Sequence, residues 1–134
     1  GLAIDVRHHR LFSVCGNRQM AVSDSRDGHL VATVPIGEGP DGSAFDVSSQ
    51  TAFSSNSDGT LTVIHEDDPD HFRVIASVPT PPRSRTITLD AKTYRVMLAT
   101  AQFEPAATLD ATTGAHPRPA MKPGTFGVLV VGRK

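Results

Sequence analysis

Three short apolar segments, each ending in an aspartate, recur along the chain at nearly constant spacing. LAID ends at Asp5, SAFD ends at Asp46 and ITLD ends at Asp90, so successive aspartates are 41 and 44 residues apart. Seven residues after each aspartate an apolar residue lies inside a second run, at Phe12, Phe53 and Met97. An internal repeat of this length limits the fold more than any other feature, because each copy must form one supersecondary unit.

Each unit contains signals for four short strands. QMAVSD (19–24) aligns with TLTVIH (60–65), and both have apolar residues at alternate positions, which is typical of a strand with one packed face. HLVATVPI (29–36) aligns with FRVIASVPT (72–80), and their Val-Pro endings suit an outer strand. The Asp-Gly pairs in RDGH and NSDGT indicate hairpin turns. We therefore expect four-stranded repeats at about 1–40, 41–83 and 84–134.

A four-stranded sheet cannot bury both of its faces alone, so the copies must stack against one another. Radial stacking of such sheets produces a β-propeller, and GEGPDG (37–42) then leads from the outer strand of one blade to the inner strand of the next. The third repeat departs from the pattern, with an insertion at 103–124 and no fourth strand after Lys134. The sequence thus predicts one all-β domain over 1–134, a β-propeller segment of about three four-stranded blades with the last incomplete.

The segments GLAID, GSAFD, RLFSV and VATVPIGEGP resemble the bacterial β-propeller repeats of the YVTN type, over residues 1–83 and about half of the third repeat. The Trp-Asp signature of another large propeller family is absent, since the chain has no Trp. The resemblance implies a bacterial protein, often extracytoplasmic. It also implies that the chain is the C-terminal portion of a longer propeller, whose missing outer strand would be donated by the far N-terminus.

A three-blade arc would expose an apolar face at each end, and such faces usually mark association surfaces. Residues 1–72 carry 4 Lys or Arg against 11 Asp or Glu, whereas residues 73–134 carry 9 against 3. Opposite charges on the two halves favour head-to-tail contacts. We therefore expect ring closure, either by further copies of this chain or by the remaining blades of a longer one.

Several function classes lack support in the sequence. A net charge of −1 and few aromatic residues argue against nucleic-acid binding. No apolar run approaches the roughly 18 residues of a membrane span, and no phosphate-binding or nucleophile motif points to a cofactor or a catalytic residue. Cys15 lies at a strand end, and we interpret it as a small hydrophobic residue. We interpret the acidic run HEDDPDHF (65–72) as a solvated loop and His8 as a surface residue. No metal site is therefore expected.

Loops that share one edge of the propeller are the best functional candidates. The outer-to-inner loops and the loops between second and third strands lie together on the edge that we call the top rim, and the 103–124 insertion belongs to it. The candidate binding residues there are Asn17, Arg18, Glu38, Asp41, Asn56, Asp58, Arg83, Arg85 and Arg118. The sequence predicts a non-enzymatic binding or scaffold module that holds a protein or small ligand at this rim. The alternative is an enzyme with a site over the central channel, with or without a metal.

Overall fold

The computed structural model describes residues 1–105 and 119–132, and within them it contains eleven strands in three antiparallel sheets. The first sheet consists, in this order, of β1 (Leu2–Asp5), β2 (Arg10–Cys15), β3 (Gln19–Asp24) and β4 (Leu30–Pro35). The second consists of β5 (Pro40–Asp46), β6 (Thr51–Asn56), β7 (Thr60–Asp68) and β8 (His71–Pro79). The third contains β9 (Arg85–Asp90), β10 (Arg95–Thr100) and β11 (Gly127–Gly132), with β10 in the middle. The expectation of an all-β chain is confirmed.

Strands β7 and β8 are longer than the sequence suggests. They run through most of the acidic stretch 65–72, where Glu66 pairs with Phe72 and Asp68 pairs with His71 across a short turn. The stretch is therefore a strand hairpin and not a loop, although Asp67, Asp68, Asp70 and His71 are exposed as expected. Glu66 is a fully buried strand residue.

The second sheet is covered on both faces. Its first face carries Ala52 and Ile64, which join Phe12, Met20 and Val22 of the first sheet in one buried cluster. Its other face carries Leu61, and a second buried cluster forms with Val96 and Leu98 of the third sheet. Phe12 also stacks on Phe45 of β5, with ring centroids 4.8 Å apart. The three sheets thus form successive layers with two apolar interfaces.

Glycines let the first strands of the three sheets approach closely. A Cβ added to Gly1 would lie 2.6 Å from the Cα of Gly42, and a Cβ added to Gly42 would lie 2.6 Å from Cγ2 of Ile87. Both distances are shorter than any real Cβ contact. The missing side chain at position 1 thus allows the start of the chain to approach β5, and the missing side chain at position 42 allows β5 to approach β9.

Across residues 1–105 and 119–132 the chain has no helix, and so none with the length and apolarity that crossing a bilayer requires.

We expect Gly42→Ala to lower the free energy of unfolding by roughly 1 to 3 kcal/mol, because the new methyl group overpacks the contact between β5 and β9. Gly16→Ala is the matched control, since a Cβ at Gly16 would meet nothing within 4 Å. Chemical denaturation of both variants measures the difference. Equal stability of the two variants would show that the first strands do not approach as closely as described.

Candidate functional site

Backbone hydrogen bonds join the loops of the top rim into one surface. The amide of Ser57, between β6 and β7, donates to the carbonyl of Gly39, between β4 and β5, at 2.9 Å. The carbonyl of Ser57 in turn accepts from the amide of Arg83, between β8 and β9, at 3.0 Å. The three loops that follow β4, β6 and β8 are therefore held in fixed positions relative to one another.

Two ion pairs lie along the top rim. The guanidinium of Arg18 donates to the carboxylate of Glu38 at 2.7 Å, and that of Arg85 donates to Asp41 at 2.7 Å. Asp41 also accepts from the amide of Thr86 at 2.8 Å and so links the second sheet to the third. Burial alone would raise the pKa of Asp41, but the bonds from Thr86 and Arg85 outweigh it, and the pKa lies below its usual value. This carboxylate is therefore ionised at neutral pH.

The rim encloses an open hollow in which Arg83 stands apart from the other charges. The hollow is lined by Glu38, Gly39, Ser57, Asp58, Arg83 and Arg85. The carboxylate of Asp58 already accepts from the amides of Glu38 and Thr60. Arg83 forms no ion pair with any residue in the described part of the chain, and its guanidinium lies 5.2 Å from the ring centroid of Phe103. Of the two arginines that line the hollow, Arg83 is the one without an ion pair among the described residues.

Arg83 and Arg18 both have left-handed backbone conformations, with φ of 63°. Arg83, in the second repeat, corresponds to Gly39 of the first, and Arg18, in the first repeat, corresponds to Gly59 of the second; these glycines have φ of 64° and 89°. An L-residue in this region costs about 1 to 2 kcal/mol relative to the usual conformations. The two rim arginines thus occupy positions where glycine is the easier choice, which is a pattern associated with functional sites.

The remaining predicted rim residues differ in their surroundings. Asn17 is exposed in the loop between β2 and β3. Asn56 is fully buried, and its side-chain amide donates to the hydroxyls of Thr60 and Thr62, at 3.0 and 2.9 Å, so it supports the β6–β7 hairpin from inside. Arg118 lies outside the described residues.

The opposite edge, which we call the bottom rim, carries the three aspartates of the repeat in the same turn. The carboxylates of Asp5, Asp46 and Asp90 each accept from the amide two residues ahead, at 2.8, 3.0 and 3.0 Å. Each also meets the side chain three residues ahead, which is His8, Ser49 and Thr93 respectively. The residues that follow, His9, Gln50 and Tyr94, all have positive φ, between 49° and 58°.

The first of these turns contacts β7 of the neighbouring sheet. Nδ1 of His8 lies 2.8 Å from Oδ2 of Asp5 and 3.0 Å from Oε1 of Glu66, and both carboxylates are buried. Burial and the nearby charge of Asp5 raise the pKa of Glu66, although the bond from His8 opposes this. This cluster was not predicted from the sequence. A usable signal existed, since Glu66 continues the inward-facing row of Thr62 and Ile64.

Arg10 forms a second charged contact between the same two sheets. Its buried guanidinium donates to Oδ2 of Asp24 at 2.9 Å, to the carbonyl of Pro69 at 2.6 Å and to Asp70 at 3.1 Å. Hydrogen bonds from Arg26 first, and from Arg10 in addition, hold the pKa of Asp24 far below its usual value. The turn between β7 and β8 is thereby tied to the first sheet.

No protein-family model matches the chain, and a search of curated proteins finds no match.

We expect Asp46→Asn to lower the free energy of unfolding by roughly 1 to 3 kcal/mol at pH 7, because asparagine has no charge and only one of the two acceptor oxygens of the buried carboxylate. Burial would raise the pKa of Asp46, but donors at Ser49 and Ser48 lower it below 3.8. The stabilisation is thus complete above pH 3.8 and is lost as the pH falls through the lower pKa of the folded protein.

Urea denaturation between pH 7 and pH 2.5 measures the free energy of unfolding of the wild type and of Asp46→Asn and so tests this prediction. Ser49→Ala serves as a partial variant, since it removes one donor and leaves the carboxylate in place. A difference between wild type and Asp46→Asn that persists undiminished at the acid end would contradict the assignment.

Proposed function

We propose that the chain is a β-propeller segment of three successive blades, with the third blade lacking its outer strand. The layered sheets, the close approach of the first strands and the recurrence of one aspartate turn in each sheet support this architecture. A propeller requires its inner strands to converge on an axis, and Gly1 and Gly42 permit that convergence.

The space beside β11 supports the idea of an incomplete third blade. In the first two sheets a fourth strand pairs with the third, whereas β11 has no second neighbour among the described strands. A cavity of about 230 Å³ lies between the second and third sheets, with a mainly apolar lining that includes Val63, Ile75, Val78 and Val131. An added strand beside β11 would cover these side chains.

Both ends of the stack expose apolar side chains on sheet faces. Leu2, Ile4 and Leu30 of the first sheet are 61, 45 and 58% exposed, and Val128 and Val130 of β11 are 58 and 52% exposed. Alternate residues of these same strands face the core, so the end strands are apolar on both sides. We infer that further blades, or further copies of the chain, cover these faces and close the ring.

We infer that the assembled module is a non-enzymatic binding protein that engages a protein or small ligand at the top rim. The observation that carries this inference is the hollow with Arg83 in its lining, where an exposed cation has no carboxylate partner among the described residues. None of the described histidines lies on this rim, and its aspartates and Glu38 are engaged by arginines or amides. This arrangement suits recognition of an anionic group better than acid–base chemistry.

We expect an acidic peptide to bind at the hollow, with amide shifts in NMR spectra at Gly39, Ser57 and Arg83. Arg83→Gln should weaken this binding roughly 1.5-fold to fivefold, the range for one exposed ion pair. Arg7→Gln is the matched control, because Arg7 is an exposed arginine on the bottom rim. Equal loss in both variants, or shifts centred on the bottom rim, would contradict a top-rim site.

We expect the chain to have a solution mass above the 14.2 kDa of one copy when measured by light scattering. A double variant with Val128→Lys and Val130→Lys, or one with Leu2→Lys and Ile4→Lys, should be monomeric, because charges on either face block head-to-tail contacts. Val47→Lys is the control, since Val47 is 46% exposed in a turn away from both faces.

Mixing the two double variants provides a further check. Each retains one intact face, so the mixture should form a dimer and nothing larger. A wild-type mass of one copy at micromolar concentration would contradict the proposed association.

A further inference from the structure

The side chains of Asp5, His8 and Glu66 form a compact cluster between the first and second sheets. One ligand atom from each residue lies within 4.8 Å of the others. Asp5 and Glu66 are 1 and 0% exposed, while the side chain of His8 is 20% exposed and gives the cluster a path to solvent. Two buried carboxylates thus converge on one imidazole nitrogen.

Glu66 has an oxygen that the protein does not satisfy. Its Oε1 lies 3.0 Å from His8, but its Oε2 is buried and has no hydrogen-bond partner among the described residues. A proton on Oε2 would not solve this, because the resulting hydroxyl would have no acceptor. A buried, unpartnered carboxylate oxygen is costly, whereas a cation in the cluster would satisfy it.

The turn itself does not require a histidine at position 8. In the equivalent turns, the hydroxyls of Ser49 and Thr93 donate to Asp46 and Asp90 at 2.7 and 2.6 Å. A small hydroxyl residue therefore completes this turn. The imidazole of His8 extends beyond that role and reaches Glu66 on the neighbouring sheet.

We propose that Asp5, His8 and Glu66 bind a divalent transition-metal ion of the Zn²⁺ type, through Nδ1 of His8 and one or both oxygens of each carboxylate. Bond lengths near 2.1 Å in a tetrahedral site place ligand atoms about 3.4 Å apart. The two contacts of His8 Nδ1, at 2.8 and 3.0 Å, are shorter than this, so Asp5 and Glu66 would each move slightly away from the imidazole when an ion enters. Asp5 is already oriented by the amide of Arg7, at 2.8 Å.

The donor set selects the class of metal. Ca²⁺ and Mg²⁺ prefer oxygen ligands alone, and usually more of them than two carboxylates supply. One imidazole and two carboxylates suit Zn²⁺ and its neighbours in the first transition row. Three protein ligands leave a coordination position for water on the exposed side of His8. The bound ion would join the turn after β1 to strand β7 and so tie the two sheets together.

Titration calorimetry of the metal-free full chain with ZnCl₂ tests the proposal. We expect one site per chain for Zn²⁺, and no comparable binding of Mg²⁺. His8→Ser should weaken binding at least tenfold while keeping the turn, since serine is the residue that the second repeat uses there. Glu66→Gln, a second variant that preserves volume, should weaken it to a similar extent.

His9→Asn is the matched control. His9 is an exposed histidine next to the cluster, and asparagine tolerates its positive φ of 58°. This variant should bind Zn²⁺ as the wild type does. ¹⁵N spectra of the wild-type histidines provide a readout that needs no variant, because Zn²⁺ should shift Nδ1 of His8.

The proposal is overturned by absence of Zn²⁺ binding, by unchanged affinity in His8→Ser, or by spectra in which only other histidines respond. The last outcome would assign binding to exposed pairs such as His71 with Asp68. None of these outcomes bears on the top rim, so this test is independent of the proposed ligand-binding function.

Discussion

Burial of both faces of the second sheet is the constraint on which the rest of the structure depends. Neighbouring residues of β6, Ala52 and Phe53, point into different apolar clusters, so the strand has no solvent face and even its polar side chains are buried. Strands β1 and β11 have the same two-sided apolar character, but one side of each is exposed. Since exposed apolar rows of this kind are costly in water, the end sheets have the composition of interior layers. The sequence of the end strands is therefore best explained by additional layers.

A second constraint operates where each first strand turns into the next. The carboxylate at the strand end satisfies the amide two residues ahead and fixes the side chain three residues ahead, in all three sheets. Because this geometry is reused, any residue that departs from the local minimum is informative. His8 departs from the other two turns by its size and by its contact with Glu66. On the top rim, Arg83 departs in a comparable way, because it has a positive φ where the equivalent position of the first repeat has Gly39.

Alternation of apolar residues was sufficient to predict the strands, and antiparallel order was sufficient to place Arg18, Glu38 and Arg85 on one rim. What could not be predicted is which side chains meet between sheets. His8 and Glu66 are 58 residues apart in sequence, and only the stacking of two sheets brings them together. Asn56 is of a residue type that is common in turns. It is nevertheless buried, and its side-chain amide donates hydrogen bonds to the threonines of the hairpin. The local pattern of apolar residues thus predicts strands well, but it predicts side-chain contacts between sheets poorly.

The two interfaces between sheets are held in physically different ways. The second has Leu61, Val96 and Leu98 at its centre, whereas the first adds buried charges at the bottom rim through Arg10 and Glu66. Apolar contacts tolerate sliding, but a guanidinium that must reach the carbonyl of Pro69 and the carboxylate of Asp24 together accepts one position only. Buried ionic groups of this kind add little net stability and can instead select one arrangement. The first and second sheets would then form a registered pair, while the third is held against them by apolar contacts and the Asp41–Arg85 bond at the top rim.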